Sequence, residues 1–128
     1  MSLETFRLLT LSDATVSTNV GNRMTQNLMP PEAQTPAITF FKVAEKPHSD
    51  THANIYNMAR IQTNVYATTA STVAAIHAAM VSHLHGYTGS YNSQAIVSIV
   101  MDYGMTTYEP ETKLYRQIAD WKMTTEGV

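Results

Sequence analysis

Met58–Ala59–Arg60–Ile61–Gln62–Thr63–Asn64–Val65–Tyr66 alternates along its length, and Thr68–His85 follows it at a helical period. In the first run Ala59, Ile61 and Val65 face one way while Arg60, Gln62 and Asn64 face the other, the pattern of a half-buried strand. In the second, Val73, Ile76, Met80 and Leu84 form a single stripe. Ala74, Ala75, Ala78 and Ala79 favour the helix and permit close approach to a sheet. Thr69 or Ser71 suits its N-cap, and Gly86 ends it. A strand feeding an amphipathic helix predicts a helix laid on a sheet.

Upstream, Ala37–Ala44 carries Ile38, Phe40, Phe41 and Val43 and reads as another strand. The three-proline loop Pro30–Pro36 precedes it, the polar loop Lys46–Asn54 follows it, and Asn22–Pro30 reads as a weak strand or extended arm. Leu3, Phe6, Leu9 and Leu11 predict a short amphipathic helix. Ser12–Asp13 caps a second one through Asn19, closed at Gly21. Packing onto the domain is expected for this segment, with a partner-binding arm as the alternative.

Downstream, Gly86–Ser93 is a turn-rich loop. Gln94–Tyr103 is apolar on both faces, with Ala95, Val97, Ile99 and Met101 on one and Ile96 and Val100 on the other. Such a strand is central or lies against another subunit. Lys113–Thr124 places Tyr115, Ala119, Trp121 and Met123 on its apolar side, with Arg116, Asp120 and Lys122 opposite. Tyr108–Thr112 is the turn between them, with Pro110 at its second position. Gln94–Thr107 and Lys113–Thr124 are therefore expected to form an antiparallel hairpin with Trp121 buried. The expected fold is α+β: a mostly antiparallel sheet of about four strands packed by one long helix (about 69–85), with short N-terminal helices, as a single domain over residues 1–128.

Composition removes several classes of function. Charged residues are 14% of the chain and hydrophobic ones 44%, against roughly 25% charged in an average globular protein, which argues against disorder. Eight Lys and Arg oppose ten Asp and Glu, for a net charge of −2. No two basic residues adjoin, so the clustered footprint that tracks phosphates is missing. The chain has no cysteine, hence no disulfide frame, thiolate nucleophile or Cys-based metal site. Val73–Val81 and Ala95–Met101 are far shorter than the roughly 20 residues that span a bilayer. Glu4 and Arg7 stand where a signal peptide would be apolar. A soluble protein made in the cytoplasm, without membrane contact, is expected.

Catalytic patterns are also missing. His83 and His85 point about 200° apart on a helix and cannot share a metal, and no Glu follows His83 as H-E-x-x-H requires. His77 lies apart from them, and His48 and His52 sit in a Pro-containing loop. A position near the helix C-terminus gives His83 and His85 a simpler use, complementing the helix dipole. Glu109 and Glu111 flank a turn proline, where no burial separates their titrations for acid–base work. There is no G-x-S-x-G elbow and no phosphate-binding glycine loop. No catalytic, cofactor or metal residues are expected, and no enzyme. Eight Met and seven Tyr suit adaptable protein contacts as well as a core.

Ala59–Ala67 followed by an Ala-rich helix, then Asp102–Tyr103 leading to Tyr108–Glu109–Pro110–Glu111–Thr112–Lys113–Leu114–Tyr115–Arg116, resembles the tail-completion family of long-tailed bacteriophages. The family's closing pattern is an aromatic–acidic–Pro turn, Leu-Tyr-Arg, then an Asp-aromatic strand, and here Asp120–Trp121–Lys122–Met123 stands for the last. Tyr108, Glu109, Pro110, Leu114, Tyr115, Arg116, Asp120 and Trp121 thus carry the resemblance as structural motif residues. Lys113 stands where the family often has Gly, Met123 replaces an aromatic, and Ala37–Ile38 replaces a Tyr-containing strand start.

The resemblance implies a structural virion protein at the head–tail junction: a tail terminator forming a ring, of six copies, on the head-proximal end of the tail tube. Its implied partners are further copies of itself, the tail tube protein and a head-completion or neck protein. DNA would pass through the lumen without specific binding. Another neck or tail-tube component, such as a head-closure or minor tail protein, is the alternative, followed by a small enzyme or ligand-binding domain. The loops Pro30–Pro36, Lys46–Asn54 and Gly86–Ser93, with exposed strand edges, are the expected contact surfaces.

Overall fold

The computed structural model describes residues 3–27, 35–49 and 55–126. Helices α1 (Leu3–Leu11) and α2 (Ala14–Val20) lead into strands β1 (Met24–Gln26), β2 (Ala37–Ser49) and β3 (Ile55–Ala67). Helix α3 (Ala70–Leu84) follows, then β4 (Gly89–Tyr91), β5 (Gln94–Glu109) and β6 (Leu114–Glu126). The strands form one curled sheet in the order β1-β2-β3-β6-β5-β4. β1 runs parallel to β2, and every other pairing is antiparallel.

This corrects the expected α+β fold of about four strands under one long helix. Strand is the dominant element among the described residues, the sheet has six strands curled into a half-barrel, and the helices are three short ones. The physical reason lies at the edges and ends. β4 is a three-residue strand, too short for any alternation to show, and exists because β5 offers it hydrogen bonds. β1, equally short, falls within Asn22–Pro30, which the sequence reads as a weak strand or extended arm. β4 lies inside the expected loop Gly86–Ser93. β2 and β5 also outrun their apolar runs. The expected loop Lys46–Asn54 begins as strand, since β2 continues through Pro47 to Ser49 opposite Asn57 to Ile55; residues 50–54 lie outside the described ones. Pro47 is tolerated because β1 covers β2 only at Ile38–Phe40, leaving an outer side there that needs no N–H.

Local chemistry starts the helices. Asp13 Oδ2 accepts from the N–H groups of Thr15 and Val16 at 3.0 and 3.1 Å, and Thr69 Oγ1 accepts from Thr72 N–H at 3.2 Å. All three helices lie on the sheet face that carries Ile38, Phe40, Ala59, Ile61, Val65, Ala119, Trp121 and Met123, and Phe6, Leu9, Val16, Ile76, Met80 and Leu84 close over it. Each such large side chain contributes about 1.5–3 kcal/mol by leaving water. Bulges shift β5 between Ile96 and Ser98 and between Met101 and Tyr103. The first turns Ile96 and Ile99 to the same core side, at 3% and 0% exposure, while Val97 and Val100 stay exposed, so within one subunit only one apolar face of β5 is covered.

His83 and His85 do more than sit at the end of α3. His83 Nε2–H donates to the carbonyl of Leu9, 3.0 Å away at the open end of α1, with Ser12 Oγ at 2.9 Å. His85 Nδ1 accepts the N–H of Met101 on β5 at 3.0 Å. One histidine ties α3 to α1 and the other ties it to the sheet edge.

His77, on α3, has Nδ1 buried without a partner among the described residues. Burial pushes its pKa below the usual 6.5. The unfolded chain then binds the proton more readily, so this contribution to stability is complete above about pH 6.5 and declines as pH falls below it toward the folded value. His77→Gln is expected to flatten the fall in urea midpoint between about pH 7.5 and 5.5. An unchanged slope in the variant would refute it.

Candidate assembly surface

The motif residues divide between a turn and a strand. Around the turn, the Glu109 carbonyl accepts from Lys113 N–H at 2.8 Å, and Lys113 adopts φ 59°. A side chain in that left-handed region costs roughly 1–2 kcal/mol, which is why Gly suits this position. Lys113→Gly is expected to stabilise the protein by up to about 1 kcal/mol, read from the urea midpoint. A fall in the midpoint would mean that the lysine side chain itself supports the turn.

Tyr108 and Tyr115 are directly cross-strand, their rings 4.8 Å apart and tilted by 56°. Arg116 anchors the hairpin to β3. Its Nε donates to Asn64 Oδ1 at 2.8 Å, Nη1 lies 3.5 Å from the Glu109 carboxylate, and its guanidinium stands 5.9 Å from the Tyr66 ring centre. Leu114 is half-buried, whereas Pro110 and Glu111 are exposed. Tyr108, Glu109, Pro110, Glu111 and Thr112 line a shallow open depression. Glu109 faces an arginine and Glu111 faces water, so the pair does not form a buried acid and base.

Asp120 and Trp121 point to opposite faces of β6. Trp121 is fully buried, and its Nε1–H donates to Thr63 Oγ1 at 2.9 Å. Asp120 lies on the face away from the helices, yet it is only 8% exposed. Its Oδ2 meets Arg60 Nη2 at 3.0 Å, and Oδ1 has no partner among the described residues. In these positions the residues close the hairpin, brace it on β3 and add to the core.

The exposed apolar surface lies on β5, the strand whose doubly apolar run reads as central or set against another subunit. Val97, Val100, Tyr103, Met105 and Tyr108 are each 41–51% exposed. β4 pairs only with Gln94–Ile96. Beyond it, Gly86 N–H donates to the Ile99 carbonyl at 2.7 Å and His85 takes the Met101 N–H. From Tyr103 to Glu109 the outer edge has no strand beside it among the described residues. Because the backbone groups of Ile99 and Met101 face away from β6 and a bulge follows, the alternation leaves Gly104, Thr106 and Tyr108 with their backbone groups facing away from β6 as well. The signal was present in the doubly apolar run, but the bulges decide which residues emerge.

Of the expected contact loops, residues 30–34 and 50–54 lie outside the described ones, and Gly86–Ser93 runs along the upper edge of β5.

The family described as tail completion protein gp17 matches this chain over residues 7–126. None of the curated proteins compared with it matches. Among solved structures, a chain in the structure titled "Virion of native gene transfer agent (GTA) particle" superposes with a TM-score of 0.69 at 16% identity, covering 98% of this chain and 97% of that one. At that identity the likeness is one of fold.

Proposed function

The chain belongs to the tail completion protein gp17 family, a structural protein of the phage tail in the virion, and from that premise we propose that it works as a tail terminator. As a single domain it joins further copies in a ring, of six, at the head-proximal end of the tail tube. The ring ends tube polymerisation and presents its other side to a head-completion or neck protein. One subunit has a radius of gyration of about 14 Å, too small to cap a tube through which DNA passes, so several copies encircle the channel. Head-to-tail contacts that close by rotation build such a ring.

The observation that supports this reading best is the uncovered stretch of β5 with its exposed Tyr and Met side chains. An exposed strand edge is an assembly element or a hazard. The near-neutral charge suits a lumen that lets DNA slide. Imaging of the assembled particle tests the proposal. The expected result is a closed ring between tube and neck; a single copy or an open arrangement at that junction would end it.

A further inference from the structure

The two long edges of the sheet are treated differently by this sequence. β2, beyond its pairing with β1, carries Lys42, Lys46 and Pro47 and a bulge between Lys42 and Ala44. Charge, proline and bulge are the devices that keep an edge from pairing. The open part of β5 reads Tyr103–Gly104–Met105–Thr106–Thr107–Tyr108–Glu109, with neither lysine nor proline. Its Tyr and Thr residues favour strand pairing. It is bounded above by the His85 and Gly86 bonds and below by the Pro110 turn.

We propose that this segment is a pairing edge, and that in the free protein its occupant is the same edge of a second copy, antiparallel across a two-fold axis through Thr106. The register closes on itself. The outward backbone groups belong to Gly104, Thr106 and Tyr108, so Thr106 meets Thr106 of the second copy, and Gly104 meets its Tyr108. Each of these N–H and C=O groups then finds the opposite kind of group.

The side chains fit the same register. On the face toward α3, a Cβ at Gly104 would already lie 3.4 Å from Gln117 Nε2 and 3.9 Å from His77 Cε1. The glycine leaves a gap in the row, and a cross-strand aromatic such as the second copy's Tyr108 is the side chain that covers such a gap. On the other face Met105 stands opposite Thr107 and Tyr103 opposite Glu109. No like charges are opposed. An edge of this length buries little area, so the dimer belongs to the weak, transient class, able to open when the subunit joins a larger assembly. The inference does not rest on the terminator reading, because it concerns the free protein.

The chain has no cysteine, so Thr106→Cys introduces its only thiol. A hydrogen-bonded antiparallel pair brings the two Cα atoms to about 5.5 Å, within disulfide reach. Mild oxidation of Thr106→Cys is expected to give a covalent dimer as the main product, whereas Thr18→Cys on the exposed face of α2 is expected to stay largely monomeric. Thr106→Lys places two like charges on the axis and is expected to remove the rise in mass with concentration in sedimentation of the wild-type protein. Cross-linking of Thr106→Cys no better than that of Thr18→Cys would overturn the proposal. So would a folded Thr106→Lys that associates like wild type. If the lysine variant fails to fold, the cysteine pair decides alone. The terminator reading is judged separately, on the assembled particle.

Discussion

Trp121→Ala is expected to destabilise the protein by about 3–5 kcal/mol, a large part of a whole margin of about 5–15 kcal/mol. Trp121 is fully buried at the middle of the sheet, opposite Ile61 on β3 and Met101 on β5. The Phe6 ring of α1 lies 6.4 Å from it, tilted by 59°. Truncation therefore opens a cavity bounded by two strands and a helix, which cannot collapse without breaking one of them. Thr63 Oγ1 also loses its donor at a site with 0% exposure. Trp121→Phe separates the two effects, because it keeps most of the ring volume and leaves the Thr63 hydroxyl short of a partner, at about 1–3 kcal/mol. Urea unfolding followed by circular dichroism measures both variants. A loss below about 1 kcal/mol for the alanine variant would be incompatible with this core.

Phe6→Ala is expected to cost a similar 3–5 kcal/mol and to release α1 before the rest unfolds. α1 has nine residues, fewer than the roughly 12–15 at which even favourable isolated helices become marginal. It is helical because Phe6 and Leu9 are buried and because His83 holds the Leu9 carbonyl near its end. Phe6 touches both aromatic anchors of the sheet side, with its ring 6.4 Å from those of Phe40 and Trp121. Hydrogen exchange on the variant should show α1 amides losing protection ahead of the β3–β6 ladder. Unchanged protection of α1 would mean that Leu9 and the caps hold it without Phe6. Since Phe6 and Trp121 share one cavity, the double variant should lose less than the sum of the two single losses.

These two residues also mark the division between local and tertiary information. Trp121 on the buried face of β6, the pairing of β5 with β6, and the Asp13 and Thr69 caps follow from short-range rules. Alternation of period two, a stripe near period 3.6 and a hydroxyl or carboxylate ahead of a helix act within a few residues, so the amino-acid order states them directly. The aromatic–acidic–Pro turn is likewise local, and so is its resemblance to the tail-completion family. The backbone angle of Lys113 shows why glycine would serve there, something the motif displayed without explaining.

The tertiary structure alone decided how many strands join the sheet and where its edges lie. β4 has no pattern of its own and becomes a strand only when β5 presents backbone groups to it, and β1, legible only as a weak strand or extended arm, becomes one by pairing with β2. Pro47 reads locally as a loop residue, but an outer side without a neighbour lets it remain in a strand. Asp120 reads only as a charge on the polar side of β6, and Arg60, sixty positions away in the chain and itself half exposed, gives its buried carboxylate an ion-pair partner. The two bulges of β5 redirect Ile96 and Ile99 to the core and Tyr103 and Met105 to the outer face, which no alternation rule anticipates. Periodicity tells a side chain which face of its own element it occupies, whereas the partners of that element come from residues distant in the chain, and only packing brings those together.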